Sequence, residues 1–196
     1  MKKGIYLSTI LRSKQTVLSS KDIMLLWGET DSAAVRVRIN YYVKKGDIYR
    51  VRRGFYAKDK NYNKLELATK IFTPSYVSLE TMLGQAGVTF QYYNQIFVVS
   101  CVTREIFADR QMYSYKRIKD AILINPAGIE SKDNYSIAIP ERAFLDVVYL
   151  NKDYHFDNLG PLNWDKIFEI LPIYGGNKRM EKMVKKYHEA LNAETR

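Results

Sequence analysis

The stretch from Val17 to Asp59, VLSSKDIMLLWGETDSAAVRVRINYYVKKGDIYRVRRGFYAKD, constrains this chain more than any other. It reads as two short helices, a tight turn between them and a basic β-hairpin. Ser19 or Ser20 suits the N-cap of the first helix, and Ile23, Met24, Leu26 and Trp27 give that helix an apolar face. Gly28 stands where the helix stops, and Glu29-Thr30-Asp31 has the length of a helix-turn-helix turn. Ser32 is then placed to cap a second helix, which runs to Lys44 or Lys45 and closes at Gly46.

The second helix has two unlike faces. Val35, Ile39 and Tyr42 fall together at 100° per residue, with Val43 close by, and are expected to pack on the first helix. The opposite face carries Ala33, Arg36, Val37, Asn40, Tyr41 and Lys44, with Arg38 on its flank. Small residues near the start allow close approach to a duplex, and Arg and Asn can each make paired hydrogen bonds to a base edge. After Gly46, DIYRVRRGFYAKD gives two short strands around Arg52-Arg53-Gly54, where glycine permits a positive φ. Helix pair and hairpin together predict a winged helix-turn-helix domain over residues 1–60. Its expected DNA contacts are Ser32, Arg36, Val37, Arg38, Asn40, Tyr41 and Lys44 on the second helix, and Arg50, Arg52 and Arg53 on the wing.

Charge follows the same boundary. Residues 1–60 hold 14 Lys and Arg against 5 Asp and Glu, a balance of +9; the remaining 136 residues hold 17 against 16, a balance of +1. The whole-chain excess of +10 therefore lies almost wholly in the segment with the helix-turn-helix pattern, as expected where counterions are exchanged for phosphates. Cys101, the single cysteine, excludes a disulfide within the chain and reads as a buried small hydrophobe in QIFVVSCV. Met1-Lys2-Lys3 and the apolar GIYLSTIL begin like a leader peptide, but Arg12 and Lys14 cut the run short. The uncharged run Thr81–Thr103 is interrupted by Gln85, Gln91, Asn94 and Gln95, so no membrane span and a cytoplasmic location are expected.

In chain order, residues 4–13 predict a supporting helix whose apolar face is Ile5, Ile10 and Leu11. The polar KDKNYNK, Lys58 to Lys64, marks a boundary with no apolar face, and a second domain over 61–196 follows. Within it, Leu65–Phe72 reads as a helix ended by Thr73-Pro74, and Ser78–Gly84 as a helix with Ser78 at its N-cap. Strands are expected at QIFVVSCV, on both sides of Ala108-Asp109-Arg110 in REIFADRQMYSYKRI, at AILIN and at YSIAI. Pro140 opens a strongly apolar helix, ERAFLDVVYL; Asn163 or Asp165 opens WDKIFEIL; and a basic helix spans 178–192 after Gly175-Gly176. The fold class is thus α+β, a winged helix-turn-helix followed by a mixed α/β domain.

The strings PSYVSLETMLGQAGV, SCVTREIF and YSIAIPERAFLDVVYL, with Arg53-Gly54-Phe55-Tyr56 at the end of the wing, resemble the AbiEi-type antitoxin and transcriptional-regulator family over residues 17–150. The resemblance implies a repressor of its own operon that counters a co-encoded nucleotidyltransferase toxin in a type IV toxin–antitoxin, abortive-infection system, without requiring stable contact with it. It fixes no residue as the toxin antagonist. An operator arranged as an inverted repeat, and two copies of the chain meeting on it, are expected because one such domain covers little DNA.

An enzyme is not expected. His155 and His188 are the only histidines, neither has a ligand partner at i+4, and there is no Gly-rich phosphate loop or G-x-S-x-G elbow. Glu141 and Asp146 lie about 140° apart around one helix, so they do not converge as an acid–base pair, and Glu141 suits a favourable charge at a helix start. No cofactor and no metal are expected. Two alternatives stay open: a ligand-sensing winged-helix regulator without a toxin partner, to which the 16 tyrosines would be suited, and an RNA-binding protein using its aromatics and basic last helix.

Overall fold

The computed structural model describes residues 3–194; Met1 and Lys2 of the leader-like opening, and Thr195 and Arg196, lie outside them. The chain is α+β with two sheets. Helix α1 (Lys3–Arg12) leads into strand β1 (Val17–Ser19), helix α2 (Ser20–Trp27) and helix α3 (Ser32–Lys45). Strands β2 (Tyr49–Arg52) and β3 (Phe55–Ala57) then form the hairpin. The first sheet has the order β1-β3-β2, all antiparallel, with Leu18 opposite Tyr56 and a bulge between Arg50 and Arg52.

Local chemistry sets these boundaries. Ser19 caps α2 in a capping box: its hydroxyl accepts from the Asp22 amide while the Asp22 carboxylate accepts from the Ser19 amide. Gly28 ends α2 in the left-handed region, where glycine has no Cβ to clash. The cap of α3 is Asp31, not Ser32: the Asp31 carboxylate accepts from the amides of Ala33 and Ala34, and Ser32 is the first helical residue. In α1 the buried apolar residues are Tyr6 and Ile10, while Ile5 and Leu11 are exposed. The expected apolar face is therefore displaced, because Tyr6 packs edge-on against Trp27 and turns the helix that way.

Strand alternation makes the first sheet a shared wall. Leu18 and Tyr56 face a small core with Tyr6, Ile10, Ile23, Trp27, Val35, Ile39, Tyr42 and Ile48. Val17, Val51 and Ala57 face the other way and join the larger core of the chain. Helix α4 (Lys64–Ile71), capped by Asn63, lies against that side. The Glu66 carboxylate of α4 accepts from the Thr16 amide at 2.9 Å and the Thr16 hydroxyl at 2.6 Å, and the Lys70 ammonium meets the Val17 carbonyl and the Asp22 carboxylate. Segment 58–64 also holds an apolar anchor the polar reading did not foresee: Tyr62 is 6% exposed and belongs to the larger core.

The second sheet has six strands in the order β6-β7-β5-β4-β9-β8. These are β4 (Ser75–Val77), β5 (Gln95–Ser100), β6 (Arg104–Ala108), β7 (Gln111–Arg117), β8 (Ile129–Lys132) and β9 (Tyr135–Ala138). The pairs β5–β7 and β4–β9 are parallel and the rest antiparallel. Helix α5 (Glu80–Gln85) starts two residues later than expected; Ser78 is no N-cap but a buried residue just past β4. AILIN is not a strand. It forms α6 (Asp120–Leu123), where adjacent Ile122 and Leu123 are both buried while Ala121 and Ile124 are exposed, a pattern with no period of two. Helix α7 (Pro140–Leu150) is almost wholly buried and is covered by α5, α8 (Trp164–Ile170) and α9 (Lys178–Glu194). Cys101 is half-buried against the core rather than fully enclosed.

Two of the family-like strings meet in space. The Asp146 carboxylate accepts hydrogen bonds from the hydroxyls of Tyr76 (3.0 Å), Ser78 (2.8 Å) and Tyr174 (2.7 Å), and lies 3.4 Å from the Arg142 Nε one helical turn away. Arg142 donates to the Tyr76 hydroxyl and to the carbonyls of Ile122 and Ala127. Arg142 and Asp146 are both fully buried. Burial pushes the Asp146 carboxyl up from its ordinary value, against the opposing pull of Arg142 and the three hydroxyls. Gly128 completes this packing: a Cβ there would come within 2.8 Å of Arg142 Cβ, at a φ of +72°. Glu141 is buried rather than solvated at its helix start, and accepts from the Asn163 amide.

Candidate nucleic-acid interface

The buried face of α3 is Val35, Ile39 and Tyr42, as its spacing predicts, and it fixes the opposite face outward. Trp27 of α2 holds the pair together: its indole N–H donates to the Tyr6 carbonyl and its ring stacks edge-on with Tyr6 and Tyr42. The turn between the helices is fixed from inside, because the Glu29 carboxylate accepts from the Tyr6 hydroxyl and from Arg38 at 3.1 Å. Those bonds hold the Glu29 carboxyl below its ordinary value, the Tyr6 hydroxyl being the larger cause.

The expected contact residues divide into two groups. Arg36, Asn40, Arg50 and Arg53 line one concavity of about 370 Å³ between α3 and the hairpin, together with Ser20, Gly54 and Tyr56. Asn40 accepts a hydrogen bond from Arg50 through its side-chain oxygen, and the Arg50 guanidinium lies over the Tyr56 ring. A hydrogen bond from the Ser20 amide to the Gly54 carbonyl ties the hairpin turn to the start of α2. Lys44 adjoins Asn40 and Arg50 in a neighbouring hollow. Ser32, Val37 and Tyr41 are exposed, Val37 at 71%.

Arg38 and Arg52 are placed differently. Arg38 is half-buried, bonded to Glu29, with its guanidinium 3.8 Å from the centre of the Tyr6 ring. It braces the helix pair from the flank of α3, with its side chain 31% exposed. Arg52 is half-buried and close enough to Tyr115, in the larger body, to influence its hydroxyl electrostatically. Ser20 and Tyr56 are groove residues that the sequence reading missed. The only signal was that Ser20 follows a cap residue and Tyr56 alternates with Phe55.

The groove has the chemistry of a polyanion site: three guanidinium groups and an amide converge, and no carboxylate lines it. Among the described residues no group of three or more His, Cys, Asp or Glu side chains could hold a metal, and no helix is long and apolar enough to cross a membrane. The chain matches no protein-family model and no curated protein.

Proposed function

We propose that residues 3–57 form a winged helix-turn-helix that binds duplex DNA, and that the chain is a DNA-binding transcriptional autoregulator and type IV antitoxin. On this reading α3 enters the major groove, with Arg36 and Val37 toward base edges, and the β2–β3 hairpin follows the phosphate backbone as the wing. The observation that carries the DNA-binding part is the convergence of Arg36, Asn40, Arg50 and Arg53 on one concavity, within residues 1–60, whose balance is +9. Asn40 enters as the residue that orients Arg50, and its amide nitrogen, which makes no hydrogen bond among the described residues, is the group offered to a base acceptor.

The antitoxin part rests on the resemblance to the AbiEi-type family over residues 17–150. The buried network of Tyr76, Ser78, Arg142 and Asp146 gives those family-like positions a packing role, so toxin antagonism would belong to exposed residues elsewhere. Two copies on an inverted repeat of operator DNA, no membrane partner, no catalytic activity and no cofactor complete the proposal. Fluorescence anisotropy and nuclease footprinting of the full chain on the DNA upstream of its own gene test the first part: binding should exceed that to random duplex, and the footprint should show two half-sites. Co-expression with an adjoining nucleotidyltransferase tests the second, and continued toxicity would overturn the antitoxin role while leaving DNA binding standing.

A further inference from the structure

A hollow of about 440 Å³ opens in the larger body, between α4, α5 and the loop that leads into β5. Its size is that of sites for single small molecules. We infer that this hollow is a binding site for a nucleobase, taken up as the free base or nucleoside. The inference is independent of DNA binding and uses none of the residues of the basic groove.

Thr89 points to a ligand. It is 5% exposed, lines the hollow, and its hydroxyl has no hydrogen-bond partner among the described residues. A buried hydroxyl left unbonded is costly, and a bound donor or acceptor removes that cost. Gly84 faces it: a Cβ there would lie 4.0 Å from the Thr89 hydroxyl oxygen, so the missing side chain leaves room beside the hydroxyl.

The rest of the lining has the chemistry of base recognition. The side-chain amides of Gln85, Asn94 and Gln95 make no hydrogen bond among the described residues, and each offers a donor and an acceptor side by side, the pattern of a base edge. Tyr92 and Phe90, 87% and 69% exposed at the rim, supply π faces on which a planar heterocycle can stack. No Lys or Arg lines the hollow, and Glu80 stands within it. A phosphate is therefore disfavoured, which selects the base or nucleoside over the nucleotide. Burial pushes the Glu80 carboxyl up from its ordinary value, against the opposing pull of Lys116 and a hydrogen bond from Tyr154.

The loop is already held in place. The Phe90 amide donates to the Asp157 carboxylate at 2.7 Å, the Gln111 side-chain amide donates to the Asn94 carbonyl at 2.6 Å, and the Tyr93 hydroxyl donates to Gln91 at 2.9 Å.

The test is equilibrium dialysis of the full chain, without DNA, against adenosine, guanosine, cytidine and uridine, with ribose, glucose and short single-stranded oligonucleotides as further arms. At least one nucleoside should bind saturably. Tyr92→Ala should weaken it by roughly tenfold or more through lost stacking. Thr89→Val should weaken it by roughly three- to tenfold, while leaving the melting temperature unchanged or higher because an orphan hydroxyl is gone. Failure of all four nucleosides to saturate overturns the inference, as do two folded variants that bind like the parent. Equal binding of the sugars, or tighter binding of an oligonucleotide than of its own nucleoside, also overturns it.

Discussion

The two cores of this chain treat charge in opposite ways. The small core under α1, α2 and α3 encloses rings and aliphatic groups, and the cations against it stay at its rim: Arg38 beside Glu29, with its side chain 31% exposed, and Arg50 over the Tyr56 ring. The larger core encloses a guanidinium and a carboxylate outright, Arg142 and Asp146, one helical turn apart. The difference separates two uses of arginine. In the first body packing is apolar, and three of its arginines, Arg36, Arg50 and Arg53, meet in one surface groove; in the second, a cation and an anion are buried together. A buried pair adds little stability over an apolar replacement, but it is unforgiving when one partner is lost.

That asymmetry gives the largest expected effect. Asp146→Ala strands a buried guanidinium and three hydroxyls, and should cost about 3–5 kcal/mol in urea unfolding. Arg142→Met combined with Asp146→Leu should recover a large part of that loss, because both charges leave together. A double variant no more stable than Asp146→Ala would show that the hydroxyl and carbonyl partners, rather than the ion pair, carry the network.

The shared wall provides the next. Glu66→Ala leaves the Thr16 amide and hydroxyl without their acceptor and takes a partner from Lys70, and should cost about 2–3 kcal/mol. Hydrogen exchange should show faster opening of β1 while the interior of α7 stays protected. Uniform acceleration across both bodies would mean that they open as one cooperative unit. Val17, Val51 and Ala57, which a cut after residue 60 would lay bare, make that fragment less stable than the same residues within the chain.

Periodicity made the first body legible. Val35, Ile39 and Tyr42 share a helical face, Gly28 and Gly46 end helices, and Arg53-Gly54 turns the hairpin, all local signals. What was not legible was non-local. Strand β1 is three residues long, and only its pairing with β3 makes it a strand. AILIN has strand-forming residues, but both faces of a strand are not available where Arg142 closes the end of α6. Of the expected contacts, Arg36, Asn40, Arg50 and Arg53 converge; Arg38 and Arg52 were indistinguishable from them as letters, since what diverts them is Tyr6 in one case and the larger body in the other. Asp146 was visible only as a carboxylate that did not pair with Glu141, and nothing in the spacing revealed the hydroxyls 28 to 70 residues away that surround it.

The groove itself yields a paired prediction. Arg36→Ala should cost about 2 kcal/mol on the operator and relax base preference, while Arg53→Ala should weaken operator and random duplex alike and reduce the salt slope by about 1. Equal losses on both DNAs for Arg36→Ala would move it from the bases to the backbone. Arg38→Ala, by contrast, should lower thermal stability, because it removes the cover on Tyr6 and the partner of Glu29.

The smallest effect separates the rim of the small core from the interior of the large one by pH. The Glu29 carboxyl is held below its ordinary value, first by the Tyr6 hydroxyl and then by Arg38. A carboxylate favoured in the folded state adds stability that is fully present above its unfolded pKa, about 4.3, and is lost as pH falls through its lower folded value. Glu29→Gln keeps an acceptor for Tyr6 but removes the charge. Parent and Glu29→Gln should therefore differ by a small constant amount in melting temperature from about pH 7 down to about pH 5, and converge below about pH 4. Both partners are partly open to solvent, so the gap should also narrow with added salt, which a loss of buried packing would not do. A gap that persists unchanged into acid would assign the effect to the geometry of the turn instead of its charge, and would make the rim of the small core as insensitive to titration as its apolar interior.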